Sequence, residues 1–161
     1  MITSTLMFQL VLAMSAQSAP DVRSDLPYDI SAERCEVFEV EDKIKCTGRV
    51  RVVQGEAILT ADEMTVFGAT SAEGFERIEG EGDVRYAEGV NAVSGRSAVF
   101  DGVNSTITVI GDVVVIQGEQ VMVGGRLVYN TETGAMVFEP GETGRVRGVF
   151  YTANANAEGP N

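Results

Sequence analysis

A chain of 161 residues has room for one domain with a real core, and its formal charge of −12 comes with 12 basic residues scattered singly. That scatter excludes a nucleic-acid partner, which would need them gathered on one face. The chain has no histidine, so the commonest general base and the commonest transition-metal ligand are both missing, and two cysteines alone do not make a zinc site.

Residues 1–18 read as a secretory signal peptide. Leu6 to Met14 is a short apolar run, and Ala16-Gln17-Ser18 offers small residues for cleavage near Ser18. The run is too short to span a bilayer, which needs roughly 20 apolar residues. Its n-region carries no Lys or Arg, and an uncleaved anchor is the alternative. Residues 19–27 form a polar leader, a β-domain is expected over 28–151, and 152–161 is a small-residue polar tail expected to be disordered. Such an export signal places the mature protein outside the cytoplasm.

The β-domain is built on a twenty-residue unit used three times without a gap. The copies are Gly48 to Phe67 (GRVRVVQGEAILTADEMTVF), Gly82 to Asp101 (GDVRYAEGVNAVSGRSAVFD) and Gly111 to Asn130 (GDVVVIQGEQVMVGGRLVYN), at offsets of 34 and 29 residues. Ile30 to Phe38 aligns with Leu59 to Phe67, so the domain begins with the second half of a unit. Facing strands pair Val37 with Ile44, Phe100 with Ile107, and Tyr129 with Met136, across six-residue hairpin loops. The remaining loop, Phe67–Arg77, holds eleven residues, and its five extra residues account for the longer offset. Gly144 to Tyr151 reads as a last strand.

Alternation assigns the faces. Val50 and Val52, Val84 and Tyr86, and Val113 and Val115 share one side with Ile30. In the following strands the inward columns are Leu59/Val93/Met122, then Met64/Ala98/Leu127 and Val66/Phe100/Tyr129. The one-residue change of phase at Asp62, Arg96 and Gly125 predicts a bulge or bend that keeps the apolar face inward. Arg49, Arg51, Arg85 and Arg147 fall on the solvent side.

The same pairing sets Cys35 opposite Cys46, in a column whose other pairs, Ala98/Val109 and Leu127/Phe138, are apolar. A cross-strand disulfide fits, and an exported chain favours it; the alternative is two buried free thiols. Asp62-Glu63 and Glu79/Glu81 invite an acid/base or calcium reading, but Asp62 is matched by Arg96 and Gly125 in the other copies, so the column carries no consistent chemistry. Asn104-Ser105-Thr106 fits a glycosylation sequon, in a turn where such residues are expected anyway. No catalytic residue, cofactor or metal site is expected.

Ile30-Ser31-Ala32-Glu33, the GRVRVVQG and GDVVVIQG segments, LTADEMTV and the terminal LVYN together resemble the OstA-like/LptA family. Its members are periplasmic lipopolysaccharide-transport proteins that share their fold with the LptC and LptD periplasmic domains. The resemblance covers 28–150. It implies an all-β fold of repeated antiparallel hairpins forming an open β-jellyroll. Such a fold holds acyl chains against an inward apolar face, here Ile30, Val50, Val52, Leu59, Met64, Val66, Val84, Tyr86, Val93, Phe100, Val113, Val115, Met122, Leu127 and Tyr129. It further implies lipopolysaccharide as ligand, LptC-like and LptD-like domains as partners, and homo-oligomers made by edge-strand pairing that bridge inner-membrane and outer-membrane complexes. The negative charge opposes the phosphorylated head of such a lipid, which either stays in solvent or is bridged by divalent cations. A self-assembling structural β-repeat protein with a packed interior has the same periodicity, and the repeat alone leaves the two readings open.

Overall fold

The computed structural model describes residues 26–70, 75–142 and 144–151; the expected export signal and tail lie outside them. The described chain is all β. Its strands are β1 (Asp29–Ser31), β2 (Arg34–Phe38), β3 (Lys43–Gln54), β4 (Ala57–Phe67), β5 (Arg77–Glu88), β6 (Asn91–Asp101), β7 (Thr106–Gln117), β8 (Gln120–Asn130), β9 (Met136–Glu139) and β10 (Arg147–Val149). Strands β3 to β8 form an antiparallel meander in sequence order. Strands β1 and β2 share the outer edge of β3, and β9 and β10 share the outer edge of β8. The first and last strands do not pair, so the sheet is open.

The expected registers hold. Val37 faces Ile44, Phe100 faces Ile107, and Tyr129 faces Met136. Cys35 faces Cys46 and is joined to it by a disulfide, with the Cα atoms 4.1 Å apart. Two-residue hairpins at 54–57, 88–91 and 117–120 each place a glycine first, with φ of +59° at Gly55, +56° at Gly89 and +59° at Gly118. Type II′ turns need that geometry at their first central position.

Every ladder between β3 and β8 is interrupted at one level. It is the level of Asp62, Arg96 and Gly125, but the extra residue belongs to the facing strand. Gly48-Arg49, Gly82-Asp83 and Gly111-Asp112 stand opposite single residues, and all six have positive φ. A glycine in the left-handed region is what a bulge of this kind demands, and it increases local bending. The edges lack this compact device and break instead. The single first strand expected over 30–38 is split into β1 and β2 at Ala32-Glu33, where the Glu33 amide bonds the Gly48 carbonyl at 2.9 Å. At the other edge Pro140, which has no amide hydrogen, begins the break between β9 and β10, and only Arg147–Val149 of the expected last strand pairs.

The aligned bulges divide the sheet into two arms. The first comprises β2, 43–47, 63–67, 77–81, 97–101, 106–110, 126–130 and β9; the second comprises β1, 50–54, 57–61, 84–88, 91–95, 113–117, 120–124 and β10. The arms turn toward each other. A Cβ at Gly80, in the first arm, would touch the Val84 side chain of the second at 3.4 Å. One apolar cluster joins Cys46, Met64 and Val66 to Val50, Ala61 and Val84, and the other joins Val109 and Leu127 to Val113 and Val115.

Candidate functional site

The space between the arms is lined from the bend outward by successive apolar rows. Nearest the bend the filling is dense: Val50 is 1% exposed, Val113 0% and Leu127 2%. Met64 and Val84 are buried with them, and so are Val66 and Val115 one row farther out. In those same outer rows Val52, Leu59, Val93, Phe100, Met122 and Tyr129 are only half-buried, and Ile30 and Tyr86 are exposed. The fifteen inward residues expected from alternation therefore share one face but not one environment. Seven pack as core, and eight line the side away from the bend. A slot close-packed at its base and open at its margin follows from two sheet arms hinged at one level.

The margin is not open along its whole length. Phe75, from the long loop between β4 and β5, packs on the first cluster and meets the Tyr28 ring with centroids 5.0 Å apart. Tyr28 precedes β1 on the second arm, so this aromatic pair joins the two margins near β3 and β4. The loop is fastened beneath by Asp42, whose carbonyl accepts from the Gly68 amide at 2.9 Å and whose carboxylate accepts from the Thr70 amide at 3.0 Å. Toward β5 to β8 the margin carries Tyr86 on the second arm and Tyr129 on the first. The Tyr86 hydroxyl donates to Glu88 at 2.8 Å. Partial burial of the ring, that hydrogen bond, the Glu88 charge and Tyr129 push the ionisation of Tyr86 above the usual tyrosine range.

Apart from Glu88 at the margin, the charged strand residues stay outside. Arg49 pairs with Glu33 at 2.7 Å, Arg126 with Glu139 at 2.8 Å and Lys45 with Glu63 at 2.9 Å, all at least partly exposed. Two shallow depressions on the outer side of the bend are lined mainly by such residues, among them Arg49, Asp62, Asp83, Arg96 and Asp112. Among the described residues no group of three or more Cys, Asp or Glu is arranged to hold a metal ion.

Several inner residues escaped the alternation argument. Ile44, Ile78 and Ile107 belong to the same face, as their cross-strand partners imply, whereas Val109 and Phe138, in the column of Cys35 and Cys46, were expected on it. Phe75 and Tyr28 had no such signal, because neither lies on a strand.

An open, bent, all-β sheet with an apolar slot between its arms defines the jellyroll class that the family resemblance implied. The match to known proteins is specific. A model of the family described as LptA/(LptD N-terminal domain) LPS transport protein matches residues 29–135, and the chain belongs to that family. An uncharacterized protein of Rhizobium meliloti (strain 1021) is 34% identical over 119 residues, covering 69% of this chain. This chain spans 64% of that relative's length. Among solved structures, LptH of Pseudomonas aeruginosa, titled the LptA homologous periplasmic component of the conserved lipopolysaccharide transport device, superposes with a TM-score of 0.67 at 18% identity. The superposition covers 79% of this chain and 96% of that one, and bears out the fold.

Proposed function

We propose that this protein is a periplasmic carrier of lipopolysaccharide, holding the acyl chains in the outer part of the slot and stacking end to end into a bridge between inner-membrane and outer-membrane complexes. The observation that carries the reading is the gradient of burial across the inner face. The base supplies a folded core without ligand, and Ile30, Val52, Leu59, Tyr86, Val93, Phe100, Met122 and Tyr129 leave apolar surface for a guest. Each acyl CH₂ moved there from water contributes about 0.8 kcal/mol. The phosphorylated head stays in solvent, because the protein's charge of −12 opposes its entry. The unpaired outer edges of β2 and β9 are the surfaces for strand addition by a further copy or by LptC-like and LptD-like domains. Residues 1–18 serve as the export signal, and amino-terminal sequencing of the mature protein separates cleavage from retention as an anchor.

The dense packing of Val50, Val113 and Leu127 favours a second reading, a structural β-repeat protein with a filled interior. Lipid extraction of protein purified from the periplasm decides between them. Lipopolysaccharide in near-stoichiometric amount supports the carrier. Lipid-free protein that forms filaments supports the scaffold and removes the carrier reading.

A further inference from the structure

The outer margin of the second arm bears a row of polar side chains that neither the core nor the ion pairs use. Glu88 faces Asn91, Asn91 faces Gln117, and Gln117 faces Gln120 across β5 to β8. All four are exposed. By strand parity they stand on the inner face, two residues beyond Tyr86, Val93, Val115 and Met122. The hydrogen bond from the Tyr86 hydroxyl to Glu88 confirms that parity at one end. The row lies on the open stretch of the margin, away from the Tyr28–Phe75 contact. Among the described residues, no Lys or Arg occupies a strand position on the inner face of either arm.

We infer that Asn91, Gln117 and Gln120, flanked by Tyr86 and Glu88, form a head-group site for a saccharide-headed amphiphile whose chains lie in the slot. The inference rests on the carrier reading and adds to it the chemistry that selects the head. A primary amide both donates and accepts, which matches the hydroxyl and N-acyl groups of a sugar. A phosphate offers only acceptors and a negative charge. It would need the cationic partners that the inner face lacks, and it would be repelled by Glu88. Tyr86 presents an apolar ring beside the amides, suited to the flat face of a pyranose. The row thus recognises the sugar ring and leaves anionic substituents pointing to water.

The test uses two probes with the same alkyl chain, dodecyl maltoside and dodecyl phosphate, each titrated below its micellar concentration by calorimetry. The wild-type protein is expected to bind the maltoside about tenfold more tightly, the equivalent of two or three modest net hydrogen bonds. The triple variant Asn91→Ala, Gln117→Ala, Gln120→Ala is expected to bring the two affinities together by weakening the maltoside alone. Its substitutions are exposed, and circular dichroism checks that it folds. Equal binding of both probes by the wild type, or an unchanged preference in the variant, overturns the head-group site and leaves the carrier reading standing. Binding of neither probe removes both.

Discussion

Single residues set the geometry of the bend and the chemistry of the margin. At Gly82, with φ of +77°, an added Cβ would enter the left-handed region and overlap the Asp62 carboxylate. Gly82→Ala is therefore expected to lower unfolding free energy by about 1–2 kcal/mol in urea titration. Gly125 has ordinary φ but is pressed against backbone: a Cβ there would overlap Cα of Gly141 and the carbonyl carbon of Pro140. Gly125→Ala should cost more than Gly82→Ala, because backbone rather than a mobile side chain must yield, and it should loosen hydrogen exchange in β9 and β10. Tyr86 gives a pH-dependent test. Its ionisation is raised on folding, so its contribution to stability is complete below the ordinary tyrosine value of about 10 and is lost as pH climbs beyond it. In the folded protein the latest tyrosinate step of an ultraviolet titration should vanish in Tyr86→Phe, and that variant should lose less stability in strong alkali than the wild type.

At the scale of elements, the Cys35–Cys46 bridge fastens β2, whose residues are all exposed, to the buried side of β3. The loop it closes is short, with a sequence separation of 11, so reduction is expected to cost about 2–3 kcal/mol. The loss should be local. Hydrogen exchange should accelerate in β2 and at 43–47 while β6 to β8 stay protected, and uniform acceleration would contradict a stapling role. The pairing of these cysteines was legible because period-2 patterning and a repeat fix register together: once Phe100 is set against Ile107, the equivalent positions bring Cys35 to Cys46. The bend was legible in level but not in strand. The change of phase shows in the apolar residues of β4, β6 and β8, whereas the extra residue is carried by Gly48-Arg49, Gly82-Asp83 and Gly111-Asp112. The glycine opening each unit was its signal. Arg49 at φ +47° gave no warning, since arginine does not favour that region; its ion pair with Glu33 lies across the bulge. The gradient from core to slot was not legible at all. Val113 and Tyr86 have the same parity, and what separates them is distance from a bend that exists only in three dimensions.

Over the whole molecule, the two free edges differ in charge. On the β1–β2 side, Asp29, Glu36, Glu39 and Glu41 accompany the single Arg34, and neither Asp29 nor Glu39 has an ion-pair partner among the described residues. On the β9–β10 side, Arg145 and Arg147 have none among the described residues, against one unpaired carboxylate, Glu142, and Val137, Val149, Phe150 and Tyr151 are exposed beside them. An acidic edge and an edge with spare arginines complement each other in unlike pairing and repel in like pairing. Joining opposite ends of identical subunits gives a heterologous contact, which extends into an open chain wherever its rotation does not close a ring. The proposed end-to-end association should therefore weaken as salt screens the charges, on the scale of a Debye length of about 8 Å at physiological ionic strength. Sedimentation velocity at increasing protein concentration is expected to show a ladder of oligomers at low salt that shortens at high salt. The double variant Arg145→Glu, Arg147→Glu should shift that distribution toward monomer by about tenfold in dissociation constant, as two lost attractions of modest size imply. Mixing it with a variant carrying Asp29→Lys and Glu39→Lys should restore pairing between the two, because the reversed edges again attract. A single closed dimer, or association indifferent to both salt and charge reversal, would place the contact elsewhere on the molecule.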